Sequence, residues 1–178
     1  MPVRQIVTIP DPVLRKKAQK VSGIREEDKK LARDLLDTLE VAKDPEGAGI
    51  AATQIGVSKK MCVVRNFYPD PAKSGEYTHE DYVLINPKIV STSKETEIDY
   101  EGCLSVPNVY GKVARYKKIK VDALDVSGER IKIKAQDFFA RTIQHEIDHL
   151  EGILFTDRVI GDVITEQEMD AVFAQEEQ

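Results

Sequence analysis

Asp137-Phe138-Phe139-Ala140-Arg141-Thr142-Ile143-Gln144-His145-Glu146-Ile147-Asp148-His149-Leu150 is the stretch on which the reading of the fold turns. Phe139, Ile143, Ile147 and Leu150 recur at the spacing of one helical face, with Asp137 placed as an N-cap and Gly152 placed to end the element. The spacing therefore predicts a helix from about Asp137 to Leu150. Phe138, Thr142, His145 and His149 follow a second stripe, so the histidines need not point where the main core points. Histidines four residues apart lie about 40° apart around a helix and one turn apart along it, within reach of one metal ion. Glu146 sits about 100° from His145, close enough to act as a general base on metal-bound water without being a ligand.

Two imidazoles leave coordination positions open, and the candidates for a third ligand are His79, Cys103 or an acid. His79 lies in Tyr77-Thr78-His79-Glu80-Asp81, which reads as a solvated loop. Cys103, in Glu101-Gly102-Cys103-Leu104-Ser105, has a glycine beside it that permits close backbone approach, and thiolate is a strong donor to a transition metal. Cys62, in the apolar run Met61-Cys62-Val63-Val64, reads as a small buried residue, and a disulfide between the two cysteines is not the natural reading. Gly47-Ala48-Gly49-Ile50-Ala51-Ala52-Thr53-Gln54 lacks the ending of a phosphate loop and the setting of a dinucleotide site. It offers exposed backbone followed by Gln54, whose amide can donate to a developing oxyanion.

Outward from these segments, 178 residues suit one domain, 1–178, with an acidic tail from about residue 159 that holds no Lys or Arg. Hydrophobic residues make up 41% and charged residues 32%, which excludes collagen-like, membrane-spanning and wholly disordered chains. With 31 acidic and 26 basic residues the net charge is -5, which argues against broad capture of nucleic acid. The N-terminus lacks a secretory apolar core, so a cytoplasmic protein is expected. Leu31, Leu35, Leu39 and Ala42 predict an amphipathic helix over Glu26 to Lys43, with Lys29, Lys30, Arg33, Asp34 and Asp37 on a solvated face. Asp44-Pro45-Glu46-Gly47 reads as its stop. Strands are expected at Met61 to Val64, Tyr82 to Ile85 and Lys88 to Val90, with an exposed loop from Pro69 to Asp81. Ile119, Val121 and Ala123, a Ser127-Gly128 turn, then Ile131, Ile133 and Ala135 predict a β-hairpin. A short helix is expected near Thr165 to Ala174, its end frayed.

Gly47-x-Gly49-x-Ala51-Ala52-x-Gln54, Glu101-Gly102-Cys103-Leu104-Ser105 and Gln144-His145-Glu146-x-Asp148-His149, in this order, strongly resemble the three signature motifs of the peptide deformylases. The segments Pro10 to Arg15 and Leu150 to Phe155 are similar too, so the resemblance spans about residues 3 to 158. It implies an α+β fold in which antiparallel β-sheets surround a central metal-binding helix. It implies Cys103, His145 and His149 as metal ligands with water in a fourth position, and Glu146 as the acid/base residue. Gln54 and the Leu104 N–H would stabilise the oxyanion, and Ala48, Gly49, Gly102 and Phe138 would meet the substrate. The implied cofactor is Fe2+, for which Zn2+ or Ni2+ can substitute.

The implied reaction removes the N-terminal formyl group from nascent peptides that begin with formylmethionine and releases formate. Two other readings compete. A zinc peptidase of the His-Glu-x-x-His class shares the helix, but its usual third ligand lies downstream, and no histidine follows His149. A non-catalytic formyl-peptide-binding metal protein would have no use for Glu146 and Gln54. The partners implied are formylated nascent peptides, with at most a transient ribosome contact, and neither DNA nor a membrane. The acidic tail makes docking by a basic C-terminal helix doubtful, and Arg115-Tyr116-Lys117-Lys118 reads as a solvated strand edge. The resemblance also implies that Asp148 pairs with Arg115 to orient the helix.

Overall fold

The structure is a computed structural model that describes residues 3–42 and 47–176. Its elements in order are α1 (Glu26–Val41), β1 (Gly49–Ala51), β2 (Met61–Pro69), β3 (Tyr77–Thr92), β4 (Thr96–Cys103), β5 (Val106–Tyr116), β6 (Lys118–Leu124), β7 (Arg130–Gln136), α2 (Asp137–Leu150), β8 (Ile164–Thr165) and α3 (Glu166–Glu176). Five strands form a sheet in the order β1-β2-β3-β6-β7, and three form a second in the order β4-β5-β8, with antiparallel pairing throughout both. This is the expected α+β fold.

Alternation along β2 decides what each face of the larger sheet covers, because successive side chains point to opposite sides. Cys62 and Val64 join Phe139, Ala140, Ile143 and Leu150 in a core under α2, whereas Met61 and Val63 join Leu31, Leu35 and Leu39 in a core under α1. Burying each large aliphatic side chain of this kind contributes about 1.5 to 3 kcal/mol, so the two helices are held chiefly by these stripes. Leu14, Val106, Val113, Leu154 and Phe155 form a third, smaller core against the three-stranded sheet.

Several local expectations need correction. The stretch expected to be an exposed loop from Pro69 to Asp81 is a loop only from Asp70 to Glu76: β2 runs to Pro69, β3 starts at Tyr77, and the ladder continues out to Pro69 opposite Tyr77. The two strands expected at Tyr82 to Ile85 and Lys88 to Val90 are one strand, interrupted by shifts of register between Ile85 and Lys88 and between Ile89 and Ser91. Asp137 is the first helical residue, at φ +52°, and Gln136 is the cap, so the chain turns from β7 into α2 with no intervening loop. α1 ends at Val41 with Ala42 as its cap, and Asp34 on its expected solvated face is buried against Arg4 at 3.1 Å. The expected stop at Asp44-Pro45-Glu46 and the end of the tail, Glu177 and Gln178, lie outside the described residues. The hairpin is present as β6 and β7, and Gly152 closes α2 at φ +76°. No helix among the described residues is long and apolar enough to cross a membrane.

Candidate metal centre and its cavity

α2 crosses the larger sheet with His145 and His149 turned toward the end of β4, where Cys103 sits. One ligand atom from each of Cys103, His145 and His149 lies within 4.8 Å of the others, and His149 Nε2 is 3.2 Å from Cys103 Sγ. Ligand atoms on one tetrahedral ion stand roughly 3.3 to 3.6 Å apart, given metal–nitrogen and metal–sulfur bonds of about 2.0 to 2.3 Å. The donor chemistry, one thiol and two imidazoles, also suits a transition metal, so this group could hold such an ion.

The sulfur is held from two further sides. The Ser105 N–H points at it from 3.4 Å and the Gln54 amide nitrogen from 3.6 Å, both donors to a sulfur that carries negative charge when it ligates. Gln54 is itself fixed: its Oε1 accepts from the Ala51 N–H at 2.8 Å and its Nε2 donates to Ser105 Oγ at 3.1 Å. That orientation commits one amide N–H to Ser105 and directs the other toward Cys103 and the site, and Gln54 is buried on the short 3-10 turn Ala52–Ile55.

Behind His145 stands Glu101, whose Oε2 lies 3.0 Å from Nδ1. This pairing turns Nε2 toward the metal group and fixes the ring's orientation. Glu101 also accepts from Arg115 at 2.8 and 2.9 Å and from Arg141 at 2.9 Å, and all three side chains are buried. Burial pushes the Glu101 carboxyl upward, but Arg115 and His145 outweigh it and hold the group well below the usual carboxylate range. The chain of charges continues from Arg115 to Asp148 at 2.5 Å and from Asp148 to Arg158 at 2.5 and 2.7 Å. Arg115 is therefore not part of a solvated edge; it is buried and ties β5 to α2.

The two imidazoles are pushed in opposite directions. Burial opposes a charge on His145, but Cys103 and Glu101 reverse this and raise it well above the ordinary value. Burial and then the neighbouring His145 charge lower His149. Both rings must be free of protons at their ligating nitrogens to hold an ion.

Glu146 points to the other side of the metal group, into the wall made by β1. Burial raises its carboxyl to about 7, with the His145 charge opposing and Glu101 adding to the shift. A Cβ added at Gly49 would lie 2.7 Å from Glu146 Oε1, so glycine there makes the seat for the carboxylate. At Gly102 the Tyr110 ring fills the same role, 2.7 Å from the position of an added Cβ.

The mouth of the site is a cavity of about 210 Å³. Of the residues expected at the site, Ala48, Gly49, Gln54, Gly102, Cys103, Leu104, Phe138, His145 and Glu146 all line it. His149 completes the metal group from beneath. The Leu104 N–H finds no partner among the described residues, and Phe138 is half exposed at the rim. His79 lies elsewhere, edge-on to Phe67 with ring centroids 5.8 Å apart. Glu101, Ser105, Tyr110 and Arg141 also build the site without a local sequence signal: Glu101 and Ser105 lie inside a quoted motif, but only their distant partners reveal what they do.

A fold that carries one thiol and two imidazoles beside a buried carboxyl, at the floor of an open cavity, has the parts of a metal-assisted hydrolase. The polypeptide deformylase family model matches residues 3–163. A peptide deformylase of Thermomicrobium roseum is 46% identical over 159 residues, covering 89% of this chain and 87% of the relative. One of Natranaerobius thermophilus is 45% identical over 168 residues, covering 94% and 99%. Among solved structures, the peptide deformylase of Thermotoga maritima superposes with a TM-score of 0.77 at 34% identity, covering 90% of this chain and 100% of that one. The chain belongs to the peptide deformylase family of enzymes.

Proposed function

We propose that this chain works as a single catalytic unit that removes the formyl group from nascent peptides beginning with formylmethionine, in the cytoplasm and with Fe2+ as its ion. The observation that carries the reading is the placement of Glu146: a buried carboxyl seated against Gly49, beside Cys103, His145 and His149, on the wall of a cavity that Gln54 and Leu104 also line. A solved relative, from Acinetobacter baumannii, is described as bound to Met-Ala-Ser; it is 34% identical with a TM-score of 0.77.

Cys103, His145 and His149 would hold the ion, which supplies Lewis acidity that makes water a nucleophile near neutral pH and polarises the formyl carbonyl. Zinc or nickel fits the same donors. Glu146 takes a proton as water adds to the formyl carbon and passes it to the amine nitrogen as the carbon–nitrogen bond breaks. One water is consumed, and formate and a free amine leave. Gln54 Nε2 and the Leu104 N–H donate to the formyl oxygen as charge builds on it, a contribution of about 2.7 to 4 kcal/mol per donor in comparable sites. The extended peptide pairs with backbone near Gly49 and Gly102, and the methionine side chain enters the apolar mouth near Ala48 and Phe138.

The test is formate release from formyl-Met-Ala-Ser by protein prepared without oxygen and loaded with ferrous iron, with iron content measured on the same sample and Glu146→Ala as control. Release by the parent, lost in the variant at equal iron content, supports the assignment. No release from fully loaded parent overturns it.

A further inference from the structure

α1 covers only part of its side of the larger sheet, and the uncovered part carries a band of cations. Ile85 and Leu124 are partners in register and both belong to the core under α1, which fixes that side for β3 and β6. On the same side Lys88 stands opposite Asp122, Lys120 opposite Lys134, and Asp122 opposite Lys132. Lys88, Lys118, Lys120, Arg130, Lys132 and Lys134 are all exposed, and none makes an ion pair among the described residues. Asp122 is the acid that stands among them. Residues directly opposite in an antiparallel pair have Cβ atoms about 4.5 to 5.5 Å apart, and like charges there repel. Lys120 and Lys134 face each other in this way in a chain whose net charge is -5. Beside them Ser91, Ser93 and Gln136 join the lysines in lining a groove of about 400 Å³.

We infer that this sheet face docks on the phosphodiester backbone of RNA. Cations at every second residue of a strand recur at about 6.7 Å, in rows one strand apart, which is a rigid lattice for neighbouring phosphates. The Ser91 hydroxyl and the Gln136 amide can donate to phosphate oxygens, while the Ser93 hydroxyl is committed to the Glu95 carbonyl at 2.8 Å; none of the six side chains is aromatic, so the contact reads charge and shape rather than bases. A lipid surface would favour apolar side chains able to insert, and Ile119, Val121, Ile131 and Ile133 of the same strands point into the core on the other side. The choice of RNA rests on the proposed function, since formylated chains emerge from a ribosome. Because α2 lies on the opposite face, docking leaves the cavity open to substrate.

The experiment titrates the full chain into a labelled oligouridine of about 20 nucleotides and follows anisotropy from about 25 to 200 mM KCl. For single strands the logarithm of affinity falls with that of salt by about 0.7 per phosphate neutralised, so contact with four to six phosphates predicts a slope of roughly -3 to -4. Lys120→Gln with Lys134→Gln removes two of those contacts and is expected to make the slope shallower by about 1.4. The same double variant should release formate from formyl-Met-Ala-Ser at the parental rate, which shows that it is folded. Absence of saturable oligouridine binding, or a slope the double variant leaves unchanged, overturns the inference. So does binding to phosphatidylserine vesicles, lost in the variant, with none to oligouridine. Failure of formate release in the parent would count against the proposed function and leave the RNA measurement to stand or fall by itself.

Discussion

Gly49→Ala tests the seat of Glu146 directly. The added methyl would lie 2.7, 2.8 and 2.9 Å from Oε1, Cγ and Cδ of Glu146, against an ordinary contact of 3.4 Å or more, so one side must give by about 0.5 to 0.7 Å. β1 is fixed to β2 by a ladder from Gly49 opposite Val64 to Ala51 opposite Cys62, and α2 is packed by a buried stripe. The freest motion is rotation of the Glu146 side chain away from β1. A misplacement near 1 Å at a reacting group costs on the order of 100-fold in rate, or about 2.7 kcal/mol of barrier. The assay is initial-rate formate release over a range of formyl-Met-Ala-Ser concentrations, with iron content and thermal unfolding on the same samples. The expected result is kcat lower by about 100-fold, with iron and melting temperature close to those of the parent. A kcat within about threefold of the parent at equal iron content would refute the reasoning, as would a rise in KM alone, because the methyl would then act on the peptide and not on the carboxylate.

Glu101→Gln leaves Arg115 and Arg141 buried without their shared anion and is expected to destabilise the protein by about 3 to 5 kcal/mol, read by urea unfolding, and to weaken iron retention through His145. Gln54→Ala should lower kcat by about 100- to 1,000-fold with KM nearly unchanged, measured by the same formate assay. Asp28→Asn probes acid stability. Burial raises the Asp28 carboxyl, but Lys59 at 2.6 Å and the Arg25 N–H at 2.9 Å outweigh it and hold it below its ordinary value. A depressed folded-state pKa stabilises above the unfolded value of about 3.9 and loses that contribution as pH falls through the folded value. The variant should therefore be less stable by about 1.5 to 3 kcal/mol at pH 7, with the gap closing at lower pH, as urea unfolding across pH would show.

How much of this was legible depended on how local the signal was. The stripe Phe139, Ile143, Ile147, Leu150 and the histidine pair lie within one helix, so periodicity alone separates the packing face from the donor face. Cys103 as the third donor was open on the residues alone, because no spacing in the chain says that the end of β4 meets α2; the family motifs supplied it, and the structure places sulfur and ring 3.2 Å apart. Glu101 is a harder case. Its partners stand 14, 40 and 44 residues away, so a charged residue in an ordinary strand gives no local hint that it is buried. Arg115 has the local look of a solvated run for the same reason, although the family pattern implies its pairing with Asp148. The long ladder through Phe67 and His79 was hidden because polar residues at an exposed hairpin end look like a loop when their cross-strand partners are unknown.

The end of α2 is stitched to the beginning of the chain: the Ala18 N–H donates to the Leu150 carbonyl at 2.8 Å, and Gly152 passes so close to Arg15 that an added Cβ would lie 2.6 Å from its carbonyl oxygen. During synthesis the first of these partners must wait for the last, since Ala18 leaves the exit tunnel long before Leu150 exists. The seating of α2, and with it of His145 and His149, is therefore completed only near the end of the chain's own translation.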